Sequence, residues 1–277
     1  MKGWNPAGAF RVTLHALRLL AYPAAEVAFI LLAWSLLARS LWASAACVLL
    51  AATAQSYSLH IVFHEVVHRR YFRRALPVLL SESAVTILLG SPFNEYRQSH
   101  WRHHRYTNLL EDSTSTWAPT PDGPSPRRLW SYSLGWPAIT PRSMAGLAQE
   151  RRAGRLSNGI IARMLYETFL LLVLHVALIY YAPALWVIYV ATIYLGYVGI
   201  AAINYMQHPP VEYGTGYTTS IYSPRYNRIF YNNGLHFEHH ARAQVPVIKL
   251  VPTPSSGVLY ADPVGSGQSA GRRLSAY

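Results

Sequence analysis

Apolar positions along this chain gather into four long runs instead of recurring at the period of an amphipathic helix or strand. Residues 19–38 and 41–63 form one close pair, and residues 164–182 and 184–206 form a second. Each run is near the roughly 20 apolar residues a helix needs to cross the hydrocarbon layer, where no backbone polar group can go unpaired. The breaks fall near Arg39 and near Pro183, so each pair reads as a hairpin that returns the chain to its starting side. A fifth apolar run, 75–92, carries Glu82 in its middle and closes on Gly90, Ser91 and Pro92. It reads as an interfacial or re-entrant helix. The pattern predicts an all-α integral membrane protein with four transmembrane helices in two hairpins.

Composition agrees with this: of 277 residues, 52% are hydrophobic and only 13% charged, outside the balance of a soluble domain. The polar segment 64–163 carries most of the arginines, among them Arg69, Arg73, Arg97, Arg102, Arg128 and Arg151. The positive-inside rule then makes this segment a cytoplasmic helical cap and puts both termini on the same side. A net charge of +12 suits anionic headgroups or an acidic protein partner; with no nucleic-acid motif beside it, nucleic acid is excluded. The single cysteine, Cys47, can make neither an intrachain disulfide nor an iron–sulfur cluster, so electrons for any redox reaction must come from an external donor. No cleavable signal pattern precedes the first run. The tail 253–277 is rich in Gly, Ser, Pro and Ala and is expected to be flexible, leaving residues 1–252 as a single domain.

Candidate chemistry lies in the histidines. Ten of the twelve fall in four places: His60, His64 and His68; His100, His103 and His104; His208; and His236, His239 and His240. Positions i, i+3 and i+4 share one face of a helix, so HEVVH, HWRHH and HFEHH each aim two or more imidazoles one way. The first box begins where the second run ends and His208 lies just past the fourth, so all can converge at one membrane face. Nine imidazoles exceed what one ion accepts, which implies two metals; imidazole suits iron, copper, zinc and nickel alike. A single HxxxH on a basic loop arises readily by chance, whereas three boxes on one side of the membrane do not.

His64 to His68 also spell HExxH, the pattern of zinc proteases in which Glu65 would be the general base. That reading needs one zinc and one further ligand, and leaves two HxxHH boxes unused. The boxes together resemble the membrane fatty acid desaturase superfamily, which includes hydroxylases, alkane monooxygenases and carotenoid ketolases. The resemblance covers roughly 59–250 and the flanking hairpins. It rests on HEVVH, on HWRHH followed by Thr107, Asn108, Glu111 and Asp112, on HFEHH followed by Val245 and Pro246, and on Asn204 with His208 as an NxxxH.

The resemblance implies a four-helix membrane fold with a cytoplasmic cap and a non-haem diiron centre. Its ligands would be His64, His68, His100, His103, His104, His208, His236, His239 and His240, with Asn204 holding a water at the second iron. His60, one turn before His64, falls outside the family pattern and is expected to pack as a polar neighbour. Ligating imidazoles need acceptors on their other ring nitrogen, and Glu65, Glu111, Asp112 and Glu238 lie near enough in sequence to serve. The implied reaction uses O2 and electrons from a ferredoxin or similar protein to desaturate an acyl-lipid or fatty acyl chain; a hydroxylase or carotenoid ketolase is the alternative within the superfamily. Trp101, Tyr205 and Phe237 lie inside the motifs as packing residues.

Overall fold

The structure is a computed structural model and describes residues 20–253 apart from 70, 136 and 138. Helix α1 (Ala21–Leu36) packs against α2 (Leu41–Tyr57). The turn between them ends on Ser40, whose hydroxyl accepts from the Ala43 N–H at 3.2 Å and caps α2. The α1–α2 seam is made of small residues: Ala33 and Ala51 are fully buried, and Ser44 donates to the Ala33 carbonyl at 2.8 Å. Helix α2 runs through a π-helical turn, Ser58–Phe63, into α3 (His64–His68), giving one continuous helical run over Leu41–His68.

Two further long helices follow the cap, α8 (Asn158–Tyr181) and α9 (Pro183–Gln207). Ser157 caps α8, and Pro183 opens α9 at the position where a missing N–H costs nothing. Between the hairpins lie α4 (Ala75–Leu89), α5 (Phe93–Tyr106), α6 (Leu129–Leu134) and α7 (Ile139–Arg152). After α9 come the short helices α10 (Pro224–Ile229) and α11 (His236–Ala241) and a 3-10 turn at Val247–Lys249.

Against the expected four spans, three helical runs among the described residues are long and apolar enough to cross a bilayer, or four if the bent pair Ala75–Leu89 and Phe93–Tyr106 counts as one, and α1 is shorter. The run 75–92 ends where expected, on Gly90 at φ 68°. A side chain there would also strike Ile193, because its Cβ would stand 2.7 Å from the Ile193 Cγ2. The chain then turns, and α4 and α5 meet at 81°. The all-α expectation needs one correction. Strands β1 (Trp117–Thr120) and β2 (Gly123–Pro126) form an antiparallel hairpin, because Pro121 and Asp122 sit at the turn and Gly123 adopts φ 114°. The expected tail over 253–277 lies outside the described residues except for Thr253, as does His15.

Exposed apolar side chains along α8 recur at helical spacing: Leu165, Phe169, Leu172, Val176 and Ile179 are each more than half exposed. A stripe of that length would be unstable in water and is satisfied by lipid. On the inner side, α2 and α9 approach closely, with the Ser56 hydroxyl donating to the Gly196 carbonyl at 2.8 Å. A methyl group on Gly196 would overlap Gln55, and one on Gly199 would overlap Ser56. His175, inside α8, accepts from the Trp186 indole N–H at 2.9 Å, so its burial in the hairpin is satisfied.

Two ionic clamps fix α5. Buried Glu82 of α4 accepts from Arg97 at 2.8 Å and from Arg163 of α8 at 3.0 Å, which accounts for an acid in the middle of an apolar run. Asn94 joins this clamp, donating to Glu167 from both its backbone (2.9 Å) and its side chain (2.6 Å). At the other end, Glu150 of α7 accepts from Arg102, Arg105 and Arg155 at 2.8, 2.9 and 2.6 Å. Burial pushes the Glu150 carboxyl up, but hydrogen bonds from Arg155 and Arg105 outweigh it and bring the group down to about 2 from an ordinary 4.5.

A carboxyl lowered by folding stabilises the fold above its unfolded value near 4.5 and loses that contribution as pH falls through about 2. Glu150→Gln leaves the buried Arg102 short of its partner and should cost on the order of 3 kcal/mol at neutral pH. Thermal unfolding in detergent should therefore separate wild type from variant at pH 7, and the gap should close as the pH approaches 2. A gap independent of pH would show that the carboxylate charge is not what clamps α5 to α7.

Candidate metal centre

The ends of α3, α5, α9 and α11 meet, and nine imidazoles converge there in two groups. His64, His68, His100, His104 and His239 form one, and His103, His208, His236 and His240 form the other; within each, the ring nitrogens lie within 4.8 Å of one another. In the first group the Nε2 atoms follow a chain of short approaches: His64 to His239 at 2.8 Å, His239 to His104 at 3.0 Å, His104 to His100 at 3.0 Å and His100 to His68 at 2.9 Å. In the second, His236 meets His208 at 2.8 Å and His103 meets His240 at 3.2 Å.

The sorting tracks each ring's place within its box. The i, i+4 pairs His64/His68, His100/His104 and His236/His240 each stay within one group, while the i+3 members, His103 and His239, cross to the other. Each HxxHH box thus spans both groups, a finer arrangement than one face aimed at one ion. The spacing suits metal. Two nitrogens held at right angles about 2.1 Å from one ion stand about 3.0 Å apart, close to the approaches seen. Burial, with the neighbouring imidazoles, holds His208, His236, His239 and His240 well below the usual histidine range, which keeps their lone pairs available to a cation. Five imidazole nitrogens on one side and four on the other are a donor set that fits two such ions.

His60 belongs to neither group; its Nε2 lies 3.3 Å from Gln207 Nε2. On a regular α-helix it would share the stripe of His64, but the π-turn at 58–63 changes the phase of the helix. The acids divide as well. Asp112 Oδ2 sits 2.8 Å from His103 Nδ1, and its other oxygen accepts from Thr114. Although burial works to raise it, the His103 contact and the Thr114 hydrogen bonds hold Asp112 well below the usual carboxylate range. Glu111 is exposed, and its backbone carbonyl accepts from Arg102. Glu65 accepts from the Val247 N–H at 2.9 Å and pairs with Arg69 at 3.5 Å, and Glu238 accepts from Ser220 and from Thr253 N–H. Both therefore fasten chain segments to the helices that carry the boxes. Trp101 packs edge-on against His68, ring centroids 4.7 Å apart.

Several residues outside the ligand set position the centre. Asn108, at φ 61° just past α5, accepts from Thr116 and donates to the His208 carbonyl at 3.3 Å; Thr116 reaches the same carbonyl at 2.8 Å. His208 follows α9 outside any helix, so these bonds fix its backbone. Asn204 donates to the Thr114 carbonyl at 3.2 Å and to Tyr132 Oη at 2.6 Å. Its signal in the sequence is the NxxxH; Tyr132 and Thr114 have none, since their relation to it exists only in three dimensions.

A family model described as Fatty acid desaturase matches residues 39–252. The chain belongs to the fatty acid desaturase family. Membership implies a membrane-embedded oxidoreductase of the non-haem diiron type acting on a lipid or acyl chain. No curated protein and no solved structure matches the chain. The matched region spans all three boxes and His208. The HExxH protease alternative has no free base, because the Glu65 carboxylate is already bonded to Val247 and Arg69.

Asp112→Asn should weaken the hold on an ion bound through His103 by about 10- to 100-fold, since it replaces the charged acceptor that orients that ring with a neutral, weaker one. Metal content per chain after dialysis against graded chelator should fall at one of two steps and leave the other unmoved. Loss of both ions together would argue against separate groups.

Proposed function

We propose that this chain is a diiron oxidase of lipids that uses O2 to desaturate an acyl chain at an unactivated C–H bond. The convergence of nine imidazoles into a group of five and a group of four carries this reading. His64, His68, His100, His104 and His239 would hold one iron, and His103, His208, His236 and His240 the other. Bound there, two ferrous ions would supply the reduction of dioxygen and the oxidising power that hydrogen abstraction from a methylene requires.

The chain's own residues position, orient and exclude water. Asp112 and Thr114 meet the Nδ1 side of His103 and fix the ring so that its Nε2 faces His240. Asn204, tied through its amide N–H groups, has its carbonyl oxygen left for a water at the second ion. A cavity of about 400 Å³ reaches His64, His100, His103 and His236 from between the Leu59 turn, α5 and α9; the shape of such a passage would set which carbon reaches the metals. Four apolar runs support a four-span topology, and the arginine distribution supports a cytoplasmic side for segment 64–163 and both termini. Residues 1–252 would form one domain, and the arginines of the cap suit an acidic ferredoxin-like donor.

Desaturation is favoured over ketolation of a carotenoid by the likeness of the second box, with Thr107, Asn108 and the acidic pair that follow it, to acyl-lipid desaturases, and hydroxylation is the other outcome. Purified protein should bind about two iron ions per chain, and His208→Ala should abolish turnover while membrane insertion persists. Mass analysis of host lipids with and without expression separates the reactions: loss of two hydrogens marks desaturation, gain of one oxygen marks hydroxylation, and a new conjugated ketone marks ketolation. A protein holding a single zinc and altering no lipid would end the proposal.

A further inference from the structure

The cavity that reaches the imidazoles has two unlike walls. On the α2 and α9 side it is lined by Leu59, Ile193, Ile200 and Ala201, as expected for a passage taking an alkyl chain. Facing them, α5 and α7 present Glu95, Ser99, Thr140 and Ser143. Ser143 donates to Glu95 Oε1 at 2.9 Å and is in hydrogen-bond contact with the Ser99 hydroxyl. Glu95 accepts that one bond and forms no ion pair, and no arginine or lysine lines the cavity among the described residues.

This differs from every other buried or half-buried acid around α5. Glu82 and Glu150 are each met by two or more arginines, and Glu167 by two N–H groups of Asn94. A carboxyl bordering an enclosed lipid cavity with one acceptor oxygen unused is costly to keep next to methylenes alone. When ionised it repels an anion placed beside it, so neither a free carboxylate nor a phosphate headgroup suits this wall of the cavity. A hydroxyl group suits it, because it can donate to Glu95 and accept from a serine.

Resting on the oxidoreductase reading above, we propose that the cavity takes a neutral lipid bearing a hydroxyl group, and that Glu95 and Ser143 bind this hydroxyl and thereby set where the chain is oxidised. Position on the helix gives the measure. Glu95, Ser99 and His103 follow one another at four-residue intervals along α5, and eight residues at 1.5 Å per residue place Glu95 about 12 Å along the axis from His103. The hydroxyl is thus held at one end of the cavity and the reacting carbon at the other. Fixing the polar end at a set depth gives a featureless chain its register.

Competition binding against a fluorescent lipid tests this, with iron-loaded full-length protein in lipid nanodiscs and dodecan-1-ol, dodecane and dodecanoate as probes. Wild type should bind the alcohol roughly tenfold or more tightly than either of the others. Glu95→Ala should erase the preference for alcohol over dodecane while dodecane still binds, which reports an intact cavity. Glu95→Gln keeps an acceptor and removes the charge, so it should retain the alcohol preference and strengthen dodecanoate binding. Equal affinity of wild type for alcohol and dodecane overturns the proposal, as does a preference unchanged in Glu95→Ala. If Glu95→Ala does not fold, unaltered rejection of dodecanoate by Glu95→Gln has the same force. Failure of the oxidase reading looks different: no lipid yields an O2-dependent product, yet the alcohol preference stands.

Discussion

Nine imidazoles cannot be crowded into one buried region unless almost all are neutral and each is held against its neighbours' dipoles. The Nε2 approaches of 2.8 to 3.2 Å among them offer few complementary donor and acceptor pairings, since one nitrogen of each close pair at most can donate. Left to itself such a cluster would open. The surrounding structure acts against this by fixing the backbone on which every ring is mounted, and most of the polar architecture outside the cluster is explained by that requirement.

Helix α5 shows how. At about 100° per residue, Asn94, Arg97, Arg102 and Arg105 fall on one half of its circumference, and Glu95, Ser99, His100, His103 and His104 on the other. The first half is gripped by Glu82 and Glu167 at one end and by Glu150 at the other. The second half supplies one rim of the cavity and three of the nine rings. A helix polar on both faces is stable here because one face is ion-paired and the other is committed to the centre. For α11, only six residues long, Glu238 bonded to Ser220 and Thr253 plays the same part, and Glu65 tied to Val247 does so for α3.

What is legible in the sequence is what periodicity and local motif determine. The hairpins at Arg39 and Pro183, the break at Gly90 and the three boxes all follow from apolar run length, turn residues and helical spacing. The sorting of the rings does not, because i+3 and i+4 neighbours face the same way on an isolated helix; which of two ions each one meets depends on where α11 lies against α5. His60 falls on the stripe of His64 only by an α-helical arithmetic that the π-turn breaks. The hairpin at 117–126 escapes the pattern although Pro121, Asp122 and Gly123 announce a turn, since its strands are too short and too rich in proline to show alternation. Tyr132, Thr114 and Thr116 carry no local signature, and the contacts that they and Asn108 make join segments 18 to 100 residues apart.

The same logic separates Glu82, Glu150 and Glu167 from Glu95. A carboxylate that only has to hold helices together is most stable when surrounded by cations or N–H groups, and Glu82, Glu150 and Glu167 are so surrounded. Glu95 lies on the same helix as the clamps and could have been reached by an arginine one turn away, yet it accepts only from Ser143 and borders the cavity. Charge pairing there would strengthen the fold and close the passage. Its partial satisfaction is consistent with a group kept available for what enters, and it makes the cavity's chemistry more selective than an apolar tunnel alone would be.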